Sequence, residues 1–140
     1  EHKHLIRKYN IEKQVFFPNR FFFDDELNEI SKECFVGAAL YTTDKTYPIY
    51  YADPGKVKAY TEMGLPVIMT KTSSIFPYIQ RFHAGEVIDR NVTAFSDAIK
   101  KISKDYLSYV NGVEKFNRYF YFETYYGEKF KFLEEYFAKP

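Results

Sequence analysis

Asp53, Pro54, Gly55 and Lys56 stand directly ahead of a short amphipathic run that closes on Gly64, Leu65 and Pro66. Those residue types in that order suit the holding of an anion. The first turn of a helix leaves backbone N–H groups free and its dipole presents partial positive charge there. Lys56 adds a full charge. Pro54 fixes one φ angle, and Gly55 lets the main chain approach a bulky oxyanion. A phosphate group fits that combination. Asp53 opposes it unless its side chain turns back to cap the helix. At the far end Gly64 can take the left-handed conformation that stops a helix, and Pro66 keeps it from resuming.

Other reactive side chains are scattered. His2, His4 and His83 are isolated, and no cluster of Asp, Glu or His has ligand-like spacing, so no metal is implied. The single cysteine, Cys34, excludes a disulfide framework, is compatible with a reducing compartment, and reads as a small buried apolar residue beside an apolar run. No G-x-G-x-x-G follows any candidate strand, which argues against a dinucleotide oxidoreductase.

Positioning the Asp53–Lys56 stretch requires a sheet and helices around it. Helical spacing runs through Leu5, Ile6 and Tyr9, with Asn10 as a stop. Residues 14–17 read as a short strand leaving through Pro18 and Asn19. Asp24 and Asp25 are candidate caps for a helix carrying Leu27, Ile30 and Cys34. The run 35–41 reads as a strand covered on both faces, as does 66–70. A helix is expected over 55–63, another over 74–82 capped by Ser73 or Ser74, and a last short strand over 85–89. Phe95, Ala98, Ile99, Ile102, Tyr106, Tyr109, Val110 and Val113 form one helical stripe, with a break expected near Ser103 or Asn111-Gly112. Gly127 is expected to separate off a final helix over 128–138. Helices and about four short buried strands thus alternate. That predicts an α/β fold: a partial Rossmann-like parallel sheet, helices on both faces and a helical C-terminus, in a single domain spanning 1–140.

The segment from Pro54 through Gly64 to Ile68 resembles a signature of the nucleotide-sugar glycosyltransferases of the GT-B fold, group 1 type. In that family a "P-x-K…EY-x-x-x-G-x-PVI" segment lies in the C-terminal, donor-binding Rossmann-like domain. Gln14-Val15-Phe16-Phe17 resembles its "V-x-F-x-G" strand, Asp25-Glu26-Leu27 its next helix start, Gly85-Glu86-Val87-Ile88 its "G-x-x-V" strand, and Ala98-Ile99 its "l-x-x-A-I" helix. The resemblance implies a donor site in which Asp53, Pro54, Gly55 and Lys56 face the donor's diphosphate. It sets Asn19 and Arg20 near the nucleobase. The family's spaced pair of glutamates would fall at Tyr51 and Ala59, neither of them acidic, so Tyr51, Lys58 or Glu62 would take over a polar role. Lys58 and Ala59 are therefore candidate nucleoside neighbours. It further implies no cofactor beyond the nucleotide-sugar substrate. It also implies a partner N-terminal acceptor domain, and earlier strands, lying outside this chain.

Composition narrows the rest. Lys and Arg number 20 against 19 Asp and Glu, which advertises neither nucleic acid nor an anionic membrane as a main partner. No apolar run approaches the roughly 18 residues a membrane-spanning helix needs. The expected location is the cytoplasm, extending to the inner face of a membrane. Of the 14 Tyr and 15 Phe, 13 lie in 106–137, including Tyr119-Phe120-Tyr121-Phe122. They read as helix packing, with self-association through this aromatic tail as the functional alternative. A non-catalytic interaction module using those helices competes with the transferase reading.

Overall fold

Four consecutive buried residues, Val67, Ile68, Met69 and Thr70, form the central strand β2 (Val67–Thr70). A computed structural model describes residues 2–18 and 20–138, and of Phe122 and Glu128 the backbone alone. β2 lies between β1 (Gly37–Ala39) and β3 (Gly85–Ile88), and both neighbours run parallel to it. Side chains alternate across a strand, so β2 feeds two cores. Val67 and Met69 enter one with Ala39, Val57, Ile75, Ile79, Val113 and Phe116. Ile68 enters the other with Ala98, Ile102 and Tyr109. Helices therefore cover both faces. α3 (Gly55–Glu62) and α4 (Phe76–Phe82) lie on the first face, and α5 (Val92–Lys104) on the second. The result is a mixed α/β domain with a small parallel sheet, compatible with a Rossmann-like arrangement.

The helix ends follow from local chemistry. Gly64 sits at φ +78°, and Leu65 N–H donates to the Tyr60 carbonyl (2.9 Å), closing α3 in a Schellman turn. His83 does the same for α4 at φ 57°, where Ala84 N–H donates to the Ile79 carbonyl (3.0 Å). Its imidazole then stacks on Tyr109 at 4.0 Å. Asn91 caps α5 by accepting from Ala94 N–H at 2.8 Å.

α6 (Tyr106–Phe120) begins in the second core with Tyr109 and ends in the first with Val113 and Phe116, so it crosses between the two faces. Gly112 is the crossing point, pressed against the His83 carbonyl in the α4–β3 turn. The Tyr109 hydroxyl donates to Glu86, which Lys101 also reaches at 2.8 Å. Burial and this carboxylate push the Tyr109 phenol well above its ordinary value of 10.0. The sign follows: the unfolded phenol ionises first. The contribution of Tyr109 is therefore complete below pH 10 and falls as pH climbs past it. Tyr109→Phe should cost about 1–2 kcal/mol at neutral pH by denaturant unfolding and should flatten the alkaline loss. Unchanged stability would show that Lys101 alone satisfies Glu86.

Several expectations are corrected. Among the described residues the sheet has three strands, because residues 14–17 pair with no strand and Phe16 is largely exposed. A short apolar run becomes a strand only where a neighbouring edge accepts its hydrogen bonds. β1 is covered on one face only. Ala38 is exposed, because α5 packs on β2 and β3 instead. Cys34 is exposed rather than buried. Asp24 and Asp25 lie inside the first turn of α2 (Asp24–Ser31) rather than capping it. Glu26 accepts there from Phe23 N–H at 3.0 Å. α4 starts at Phe76, later than expected, and Ser73 orders the preceding turn by accepting from Ile75 N–H. The long stripe breaks at Asp105, between α5 and α6, as expected near Ser103, while α6 runs unbroken through Asn111 and Gly112. α7 (Phe122–Phe137) runs straight through Gly127. Neither α2 nor α1 (His2–Lys8) packs on another described helix or strand.

Candidate functional site

The carboxyl ends of β1 and β2 are tied together by main-chain carbonyls. Thr70 Oγ1 donates to the Tyr41 carbonyl at 2.8 Å, and Ser73 N–H donates to the Tyr50 carbonyl at 2.7 Å. Thr70, Thr72 and Ser73 are buried, so this hydroxyl-rich turn is an internal clamp. Ser73 adopts φ 67°, a conformation uncommon outside glycine. Residues 42–53, with a short 3₁₀ turn at Pro48–Tyr50, are thereby held beside the loop that follows β2.

α3 starts from this platform. Pro54 is buried and extended (φ −76°, ψ 104°), and Val57 is fully buried against the sheet, which fixes the helix axis. No described side chain caps the helix. Gly55 and Lys56 are exposed, and a Cβ built on Gly55 would meet nothing within 4 Å. Val57 N–H donates to the Pro54 carbonyl (3.0 Å), which leaves the N–H groups of Gly55 and Lys56 as the open donors at the carboxyl edge of a parallel sheet, where open α/β sheets bind ligands. Among the described residues no carboxylate pairs with Lys56, whose Nζ lies 6.0 Å from the centre of the Tyr41 ring. Burial raises the Tyr41 phenol, so it is neutral near pH 7.

Asp53 does not cap α3. Its carboxylate takes Lys58 Nζ at 2.5 Å, along the flank of the helix. The pair removes the charge that would oppose an anion at the helix start. It also anchors one end of a cleft of about 850 Å³ between α3, α4, α6 and α7, floored by Phe116 and Phe120 and walled by Asn117 and Tyr125. Gly55 and Lys56 lie outside that cleft. Ala59 is half-buried, one turn beyond Gly55 on α3, and Tyr51 is exposed with its ring edge-on to Tyr50 at 5.0 Å.

The structure thus brings Asp53, Pro54, Gly55, Lys56 and Lys58 together and leaves Arg20 elsewhere. Asn19 lies outside the described residues. Arg20 grips Glu26 with two hydrogen bonds (2.7 and 3.0 Å) and covers the Phe22 ring at 4.3 Å. These contacts, with Phe23 N–H, pull the Glu26 carboxyl from 4.5 to about 2. The ordering of the first turn of α2 is therefore complete above pH 4.5 and lost as pH falls through about 2. Carboxyl titration followed by NMR should give that midpoint, and Arg20→Ala should return it toward the ordinary glutamate range. An unmoved midpoint in Arg20→Ala would remove the pair as its cause.

The Thr70–Ser73 clamp is absent from the sequence reading beyond Ser73 as a helix cap. Hydroxyl residues packed directly after an apolar strand were the available signal. Among the described residues, no group of three His, Cys, Asp or Glu is arranged to hold a metal ion, and no helix is long and apolar enough to cross a membrane.

No protein-family model matches this chain, and neither the curated proteins nor the solved structures contain a significant match to it.

Proposed function

We propose that the chain is the donor-binding half of a GT-B fold nucleotide-sugar glycosyltransferase of group 1 type. It would bind the diphosphate of a nucleotide-sugar at the start of α3. One observation carries the reading: α3 opens uncapped at the carboxyl edge of the sheet, with the unpaired Lys56 beside bare backbone N–H groups. Charge-assisted hydrogen bonds from amides and ammonium are the strong kind for phosphate oxygens. Breaking the anomeric bond leaves a nucleoside diphosphate carrying extra negative charge. Donors already fixed at Gly55 and Lys56 stabilise that charge more than the ground state. Proton transfer and acceptor binding fall to an N-terminal domain outside this chain, and the donor is substrate rather than cofactor. A cytoplasmic location, reaching the inner face of a membrane, belongs to the same reading.

Titration of the chain with UDP and GDP, followed by amide NMR, tests it. The expected result is saturable shifts at Gly55, Lys56 and Val57, with residues near Tyr51 and Lys58 following. Silence at Gly55 and Lys56 with both nucleotides would overturn it. The second reading is a non-catalytic interaction module. It is favoured by the non-acidic Tyr51 and Ala59, and by the aromatic side chains that α7 leaves exposed.

A further inference from the structure

α7 packs on α6 and on no other described element, and every described residue from Lys129 to Ala138 is exposed. Tyr126, which borders the cleft, and Phe130, Leu133 and Phe137 of this stretch recur at intervals of four, three and four, which places them on one narrow face. Phe130 is 51% exposed, Leu133 44% and Phe137 79%. That is the spacing of a two-stranded coiled-coil seam, with Tyr126 and Leu133 at d and Phe130 and Phe137 at a. The flanking positions carry the charges. Lys129 falls at g and Glu134 at the following e, so they border the seam on opposite sides.

From this arrangement we infer that α7 is a self-association helix, pairing in parallel with α7 of a second copy of this chain about a two-fold axis. The charges select that occupant. In a parallel pair each g residue reaches the e residue five positions on in the partner helix, so Lys129 of each copy meets Glu134 of the other. In an antiparallel pair g faces g and e faces e. Lys129 would then meet Tyr136, and Glu134 would meet Gly127, with no charge satisfied. Among the described residues Glu134 has no side-chain partner, and Lys129, exposed, touches the Tyr125 and Tyr126 rings at 3.9 and 6.0 Å and hydrogen-bonds with the Tyr125 side chain, its described contacts being with its own helix. Both remain available across a seam. The pairing is isologous, so it closes at two copies. The seam is only about 18 Å long, which makes the dimer weak and concentration-dependent. The inference does not use the phosphate site, and it stands or falls separately from the donor reading.

Sedimentation velocity on the whole chain over rising concentration should show a reversible shift from monomer to dimer. Leu133→Asp should abolish it while leaving the amide spectrum of β2 unchanged, since Leu133 lies outside both cores. Lys129→Glu alone and Glu134→Lys alone should each weaken dimerisation about tenfold, because two attractive contacts become repulsive. The double swap should restore it, and the two single variants mixed together should form a heterodimer. A monomer up to about 1 mM, or a dimer indifferent to Leu133→Asp, would overturn the proposal. Failure of the double swap to restore pairing would overturn the parallel register. None of these readouts involves a nucleotide.

Discussion

Gly112→Ala should destabilise the fold by about 2–4 kcal/mol, although alanine is the better helix former by about 1 kcal/mol. Gly112 lies in the interior of α6, where the usual expectation is a gain. The surroundings reverse the sign. An added Cβ would run into the main-chain carbonyls of His83 and Phe82, inside any distance that real atoms adopt. Backbone in a Schellman turn cannot rotate aside as a side chain would, so α6 itself has to withdraw. Withdrawal loosens Tyr109 on one side of the crossing and Val113 and Phe116 on the other, and all three are buried. Both cores feel the change, which is why one methyl group costs this much. Gly127→Ala is the matched control. It too lies within a helix, but its Cβ would meet nothing within 4 Å, so it should stabilise by up to about 1 kcal/mol. Urea unfolding of both variants checks the pair. A neutral Gly112→Ala would mean that α6 does not cross against the α4–β3 turn.

The same contrast shows what kind of information the sequence carries. Strand β2 was legible because a short run of branched and apolar residues between Pro66 and Lys71 suits a strand buried on both faces and little else. Gly64 followed by Pro66 punctuates α3 without outside help. Residues 14–17 carry an apolar run of the same quality, yet no strand edge accepts them, and pairing is a property of the whole sheet. Gly127 and Gly112 are chemically identical letters. Neither stops a helix here, and only the second is required, because a turn from residues 82–83 happens to lie against it. A break near Ser103 was expected beside an alternative at Asn111-Gly112, and its place at Asp105 was hidden for a related reason. The apolar stripe continues from Ile102 to Tyr106 and Tyr109, and both sides of the break contribute to one core. At the candidate site, the uncapped start at Pro54, Gly55 and Lys56 was readable from residue types. The routing of Asp53 to Lys58, and the carbonyl ties from Tyr41 and Tyr50, depend on long-range geometry that spacing does not encode.

Lys56→Glu should reduce the affinity for a nucleoside diphosphate about 30–100-fold, the largest functional effect expected from a single surface substitution here. A charged hydrogen bond to phosphate is worth about 1.5–3 kcal/mol, and reversal replaces attraction with repulsion at the same place. Lys56 is exposed and none of its described contacts is a hydrogen bond or ion pair, so the fold should be unaffected. That separates binding from stability in one variant. Lys58 provides the contrast. Its ammonium is held by Asp53 at 2.5 Å on the flank of α3, and Lys58→Ala frees that carboxylate beside the proposed anion site. Affinity should therefore fall in Lys58→Ala through Asp53 rather than through a lost contact. Adding Asp53→Asn to Lys58→Ala should recover most of the loss, whereas adding it to Lys56→Glu should recover little. Calorimetric titration with UDP and GDP at fixed low salt reads all four variants, since screening shrinks these differences as salt rises. Equal affinity in wild type and Lys56→Glu would detach the ammonium from the ligand. Recovery of Lys56→Glu by Asp53→Asn would instead show that the net charge of the region, and not donors at the helix start, holds the anion.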